Sequence, residues 1–321
     1  MFNRLLVPLD RSALAECVLP HVAAIAKAFD ASILLLTVLE AGESDEKQPS
    51  IDPLDWQIRK AEAEAYLQKI ARQMQDAGLR VEAQVLEGKA EERIIEFAEN
   101  QDINLIVLSS HGRSGLSGWN VSSVVQKIIL RAYTSMMIVR AYQPIKSDPI
   151  DLKYRRLMVP VDGSQRAETV LPVASSLAAF YEADLFVVHV VRRPEMPRRR
   201  TPLTPEDIGL AERLTERNKN EASKYLEEIR SRVPANVQTR LEISDRVNAT
   251  LHEIAKQEDI DMVLLSAHGY SGESKWPYGS VVISFISYGT TPLLIVQDIP
   301  RDQLRETDAE IAARDFGKRE E

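Results

Sequence analysis

Two short stretches of the chain have the residue types of a phosphate-holding loop. "SHGRSGLSGWNVSS" runs from Ser110 to Ser123, and "AHGYSGESKWPYGS" runs from Ala267 to Ser280. Each sets glycines, among them Gly112, Gly115, Gly269 and Gly272, between an apolar run and a helical-looking run. Glycine lets backbone come close to a phosphate, and a helix starting at about Ser122 or Gly279 offers unpaired amides and a positive dipole end to an anion. The hydroxyl of Ser123 or Ser280 can add a hydrogen bond. An aspartate follows an early apolar run in each half, Asp10 after Pro8 and Asp162 after Pro160. Its carboxylate can accept from a ribose hydroxyl or an adenine amine, and the set describes a mononucleotide site. The same residues also read as helix caps and turn formers, and a duplicated scaffold repeats its turns.

Other chemistries find no foothold. There is no GxxxxGK[ST] run, no GxGxxG after a first strand, and "HGRSGLSG" does not satisfy G-x-S-x-G. His111 and His268 precede the loop glycines, where each can touch a phosphate, position water or bond within the loop. His189 reads as a satisfied core histidine in a strand, and His21 and His252 lie on helices without metal-ligand partners. The single cysteine, Cys17, excludes an internal disulfide and a multi-cysteine metal site. No catalytic residue and no protein-held metal are expected, although Mg²⁺ can arrive with a nucleotide. A slow ATPase built on His268 and Asp162 is the enzyme reading left open.

The elements that must position these residues are written twice. "LLVPLDRS" (Leu5–Ser12) returns as "LMVPVDGS" (Leu157–Ser164), "DINLIVLSSHGRSG" (Asp102–Gly115) as "DIDMVLLSAHGYSG" (Asp259–Gly272), and "TSMMIVR" (Thr134–Arg140) as "TPLLIVQ" (Thr291–Gln297). Two copies in 321 residues mean paired domains rather than a solenoid. The expected division is a first domain at 1–143, a linker at 144–153, a second domain at 154–299 and a charged tail at 300–321. Strands are expected at Arg4–Leu9, Ser32–Leu39, Val81–Leu86, Leu105–Ser109 and Met136–Arg140. Helices fill the gaps, one capped by Ser12 and bent at Pro20 (Pro172 in the second copy), another long and running from Pro53 to Gly78. Continuous apolar strands such as "ILLLTV" and "DLFVVHV" imply burial on both faces. The fold class is therefore α/β: two tandem open, mostly parallel five-stranded sheets with helices on both faces.

With 44% hydrophobic and 27% charged residues the composition is that of a globular protein, and a net charge of −8 opposes nucleic acid as a partner. "RRPEMPRRR" (Arg192–Arg200) is a local basic exception, read as a solvated loop or an anion or partner contact. No signal peptide and no apolar run of the ~20 residues that span a bilayer is present, so a cytoplasmic address and no membrane contact are expected.

These motifs carry a likeness. The sequence resembles the universal stress protein family in tandem form, over nearly all of the chain except the linker, the loops after the second strands and the tail. The family's nucleotide-binding members carry Gly, two residues, Gly, nine residues, then Gly followed by Ser or Thr. Ser266, Gly269, Gly279 and Ser280 hold those places in the second half, and Ser109, Gly112, Ser122 and Ser123 in the first. The family's aspartate corresponds to Asp10 and Asp162, and its apolar residue against the adenine ring to Val38 and Val190.

The resemblance implies a flavodoxin-like, adenine nucleotide alpha hydrolase-like sheet of order 3-2-1-4-5, with ATP or another adenine nucleotide as ligand. Both halves depart at the first glycine, and the first departs again at Ser122. If that position needs a positive φ, serine costs about 1–2 kcal/mol, so the second half is expected to bind first. The family also pairs subunits through the last strand, which implies an intrachain pseudo-dimer here, with a further dimer of chains as an added expectation. The resulting expectation is a stress-responsive nucleotide-binding regulator. The alternative is a non-binding scaffold of the same fold.

Overall fold

The structure, a computed structural model, describes residues 1–40, 53–112, 121–141, 151–194, 204–270 and 277–298. Most of the expected linker, the charged tail, Gly115, Gly272 and residues 195–200 of the basic segment lie outside the described residues.

The first half runs β1 (Arg4–Pro8), a 3₁₀ turn (Ala15–Val18), α1 (Leu19–Phe29), β2 (Ser32–Leu39), α2 (Pro53–Asp76), β3 (Val81–Glu87), α3 (Ala90–Asn100), β4 (Leu105–Ser109), α4 (Ser123–Arg131) and β5 (Ser135–Val139). The second half runs β6 (Arg156–Val161), α5 (Gln165–Glu168), α6 (Leu171–Tyr181), β7 (Asp184–Val191), α7 (Pro205–Arg232), β8 (Val237–Ile243), α8 (Val247–Gln257), β9 (Met262–Ser266), α9 (Ser280–Tyr288) and β10 (Leu293–Val296). Strand order is β3-β2-β1-β4-β5-β10-β9-β6-β7-β8, so each half has the order 3-2-1-4-5 and the two are continuous as one ten-stranded sheet.

All pairings within a half are parallel, while β10 lies antiparallel to β5 with Leu294 opposite Met137. Sandwiched strands need apolar residues on both faces, and every residue of β4 and of β9 is buried. One helical layer, α1, α2, α6 and α7, covers the core around Leu5, Leu67, Leu177 and Leu226. The other, α3, α4, α8 and α9, covers Leu6, Ile128, Leu251 and Phe285. Across the middle of the first layer, His21 Nδ1 lies 2.9 Å from Tyr154 Oη, and the Tyr181 hydroxyl donates to the Ala24 carbonyl at 2.7 Å.

The single bent helix expected after the first strand is instead two pieces. Ser12 Oγ accepts the Ala15 amide at 3.1 Å and starts only the 3₁₀ turn, while Ser164 Oγ accepts the Ala167 amide and starts the four-residue α5. Pro20 and Pro172 then stand in the first turns of α1 and α6, where their missing N–H costs nothing and no kink results.

The residue after each aspartate is left-handed, at φ +68 for Arg11 and +85 for Gly163. Only glycine takes that conformation freely, so Gly163→Ala is expected to lower stability by about 1–2 kcal/mol, read from the urea midpoint. Arg11 bears such a cost already, with its guanidinium 3.6 Å from Glu62.

Candidate functional site

In an open parallel sheet the crevice lies beyond the carboxyl ends of the strands, where the chain switches direction. In the second half that point falls between β6 and β9, which pair at Leu157↔Met262 and Met158↔Val263. A cleft with a volume of about 110 Å³ opens there. It is lined by Pro160 and Asp162 at the end of β6, Val190 of β7, Ser266, His268 and Gly269 at and after the end of β9, and Gly279 and Ser280 at the start of α9. Sequence reasoning missed much of the apolar lining, including Val188, Val247, Leu251, Leu265, Val281 and Val282. Helical spacing marks the four on α8 and α9 as core, and an unbroken apolar strand does the same for Val188 and Leu265, with no sign that they face an opening.

Asp162 is the pin of the loop. Its Oδ1 accepts the Ser164 amide at 3.0 Å and the Ser164 hydroxyl at 2.6 Å, and its Oδ2 accepts the Tyr270 amide at 2.6 Å. Among the described residues these three donors leave one of the carboxylate's roughly four acceptor positions. Gly269 packs directly on this carboxylate, and a Cβ there would collide with Oδ2. Gly112 and Asp10 repeat that contact in the first half, where Asp10 Oδ1 accepts the Ser12 amide and hydroxyl.

The helix at the rim differs between the halves. Ser122 and Gly279 have nearly the same extended backbone, φ −70 and −71, so serine at 122 carries no conformational strain and the expected φ penalty does not apply. What differs is the cap. Ser122 Oγ accepts the Val125 amide at 3.4 Å, whereas among the described residues no side chain caps α9 at Gly279. Gly279 offers the first amides of α9 no hydroxyl of its own, whereas one of the first amides of α4 is satisfied by Ser122. Val121 is buried beside Ser122, Ser123 follows as the first residue of α4, and Val38 is a partly buried residue of the core beneath.

The serines in place of the first glycine turn their hydroxyls into the protein. Ser109 Oγ lies within hydrogen-bond distance of the Leu14 and His111 carbonyls, and Ser266 Oγ accepts from Thr169 Oγ1 at 3.1 Å. Cys17 is buried against Ser109, and burial pushes its thiol pKa up.

The two loop histidines diverge. His111 Nδ1 is 3.1 Å from Ser110 Oγ. His268 Nδ1 is 2.8 Å from Asp298 Oδ1, whose fully buried carboxylate also lies 3.0 Å from Arg166 Nε. A carboxylate only accepts, so Nδ1 of His268 carries the hydrogen. Asp298 escaped the sequence reading, since it stands beyond β10 and Ala141 holds the matching place in the first copy. His189 is not the satisfied core histidine expected. It stands near the outer end of β7, partly exposed, with Nδ1 buried and without a hydrogen-bond partner among the described residues. Burial pulls its pKa down and the nearby Asp162 charge opposes that.

Among the described residues no group of three or more His, Cys, Asp or Glu is placed to hold a metal, and no helix is long and apolar enough to cross a membrane. The cleft can therefore offer an anion backbone amides, a hydroxyl and one imidazole, and offer a flat apolar group the Val190 wall.

The universal stress protein family model matches residues 1–140 and again 153–297. A universal stress protein of Methanocaldococcus jannaschii is 26% identical over 147 residues, 44% of this chain and 83% of that relative. Universal stress protein A homolog 1 of Coxiella burnetii is 26% identical over 145 residues, 45% of this chain and 97% of that relative. Among solved structures, a universal stress protein from Archaeoglobus fulgidus superposes with a TM-score of 0.66 at 18% identity, covering 93% of this chain and 100% of that one, a likeness of fold. With its sheet order, its repeated loop and two family matches spanning most of its length, the chain belongs to the universal stress protein family.

Proposed function

We propose that the second-half cleft binds an adenine nucleotide, ATP first and with Mg²⁺ accompanying it, and that occupancy rather than rapid turnover is the signal of a cytoplasmic stress-responsive regulator. The observation that carries this reading is the N-terminus of α9, which has no side-chain cap among the described residues, opening on the cleft that Asp162 and Val190 also line. The phosphates lie on the first amides of α9 beside Ser280, the base lies on Val190, and the remaining acceptor position of Asp162 takes a ribose hydroxyl. The first half, capped by its own Ser122, binds more weakly. The halves act as an intrachain pseudo-dimer joined through β5 and β10.

A scaffold reading has one observation in its favour: Asp162 already accepts three hydrogen bonds from its own chain. Calorimetric titration of ATP and Mg²⁺ into the whole chain separates the two. Binding by the wild type, weakened about fivefold in Gly279→Ser by loss of one amide donor to the new cap, supports the nucleotide reading. Absence of heat at millimolar ATP favours the scaffold.

A further inference from the structure

One buried charge has no part in the site as described. Arg140 follows β5 directly, belongs to the first half and is 1% exposed. Its Nη2 donates to the carbonyl oxygens of Phe285 at 2.6 Å and Ile286 at 3.1 Å, both near the C-terminal end of α9. A guanidinium is kept in a protein interior only where acceptors meet it, and helix-end carbonyls carry the negative end of the dipole. The Phe285 carbonyl also accepts the Gly289 amide at 2.9 Å, and a Cβ at Gly289 would stand 2.5 Å from that oxygen. Glycine thus keeps the turn tight where the arginine arrives. From α8, His252 Nε2 lies 3.1 Å from Ser284 Oγ and its ring 4.2 Å from that of Phe285, so the last turns of α9 are held from two sides.

The opposite end of this same helix is the rim of the cleft. At nine residues α9 is only about 13 Å long, so whatever fixes its C-terminal carbonyls fixes where its first amides point. A positive charge on those carbonyls also offsets the negative end of the helix and leaves the positive end less cancelled at the rim. The matching residue in the second copy is Gln297, which is neutral, so the charge reaches only from the first half into the second.

We propose that Arg140 is a positioning residue for the second-half site: by gripping α9 across the junction of the halves, it sets how strongly the Gly279–Ser280 amides hold phosphate. The proposal rests on the nucleotide reading above. It makes affinity in one half depend on a side chain of the other.

The test compares the full-length wild type, Arg140→Met and Arg140→Lys by calorimetry with adenosine, AMP and ATP plus Mg²⁺. Hydrogen exchange of residues 280–288 is followed in the unliganded proteins. Arg140→Met is expected to weaken ATP about tenfold and adenosine less than about twofold, with faster exchange along α9, while Arg140→Lys stays within about threefold of wild type for ATP. Equal losses for adenosine and ATP, or an unchanged ATP affinity, overturn the proposal. Should the methionine variant not fold, the lysine variant carries the same comparison, with a loss of about threefold for ATP and none for adenosine expected. A wild type that binds none of the three ligands defeats the nucleotide reading. Exchange then decides the arginine: acceleration confined to α9 in Arg140→Met supports the grip, and unchanged exchange removes it.

Discussion

Gly269→Ala is expected to weaken ATP binding by more than about tenfold and to lower stability by about 2 kcal/mol. The added Cβ would collide with Asp162 Oδ2 and stand 3.2 Å from Cγ. Backbone strain is not the cause, because Gly269 is absent from the left-handed positions. The carboxylate must turn away and surrender the Tyr270 amide it accepts at 2.6 Å, a charged hydrogen bond worth about 1.5–3 kcal/mol. Without that pin the loop no longer closes the base of the cleft. The cause can be isolated with Asp162→Ala. Once the carboxylate is gone the alanine has nothing to strike, so the double variant should be almost as stable as Asp162→Ala alone. Full additivity of the two losses would show that the collision is not the mechanism. Gly112→Ala, which meets Asp10 in the same way, should cost similar stability and leave ATP affinity of the second half intact.

Acid should loosen the junction of the halves through His21. Burial pushes its pKa down from 6.5 to about 4. Between those values the unfolded chain binds a proton that the folded chain refuses, so this contribution is complete above pH 6.5 and is lost as pH falls toward 4. A fall from 6.5 to about 4, at about 1.4 kcal/mol per pH unit, sets a ceiling of about 3.5 kcal/mol, and solvent reaching this half-buried residue brings the expectation to about 2. The partner does not titrate in this window, since burial holds the Tyr154 hydroxyl well above its ordinary pKa. Urea unfolding at pH 7 and pH 4.5 measures the effect. His21→Gln keeps an acceptor for Tyr154 and cannot titrate, so its stability should fall less between the two pH values. Parallel losses in both proteins would assign the acid sensitivity to carboxylates elsewhere.

The strands were the most legible part of the sequence because burial on both faces leaves unbroken apolar runs. Ser32–Leu39 and Leu105–Ser109 begin and end where the apolar runs do. Strand order followed from the family likeness and from the repeat. The helix after β1 was misread because its apolar spacing persists through the 3₁₀ turn, and a proline in the interior of a helix looks the same in sequence as one in its first turn. The site was legible where backbone needs a residue type, as at Gly269 against Asp162. It was illegible where partners come from far along the chain. Asp298 behind His268 lies outside every repeated stretch, Arg140 against α9 is the last residue of one, and each breaks the repeat, with Ala141 and Gln297 in the matching places. Comparing the two copies position by position would have singled out both.

The antiparallel meeting of β5 and β10 also bears on how such a molecule comes together. Each strand would otherwise present Met136–Ile138 or Leu293–Ile295, all wholly buried, as a bare margin able to accept any foreign strand. Tethering both margins in one polypeptide replaces an encounter governed by dilution with one set by the span of the connecting segment. Duplication thus gives each margin a resident mate at every protein concentration, including the lowest found in a cell.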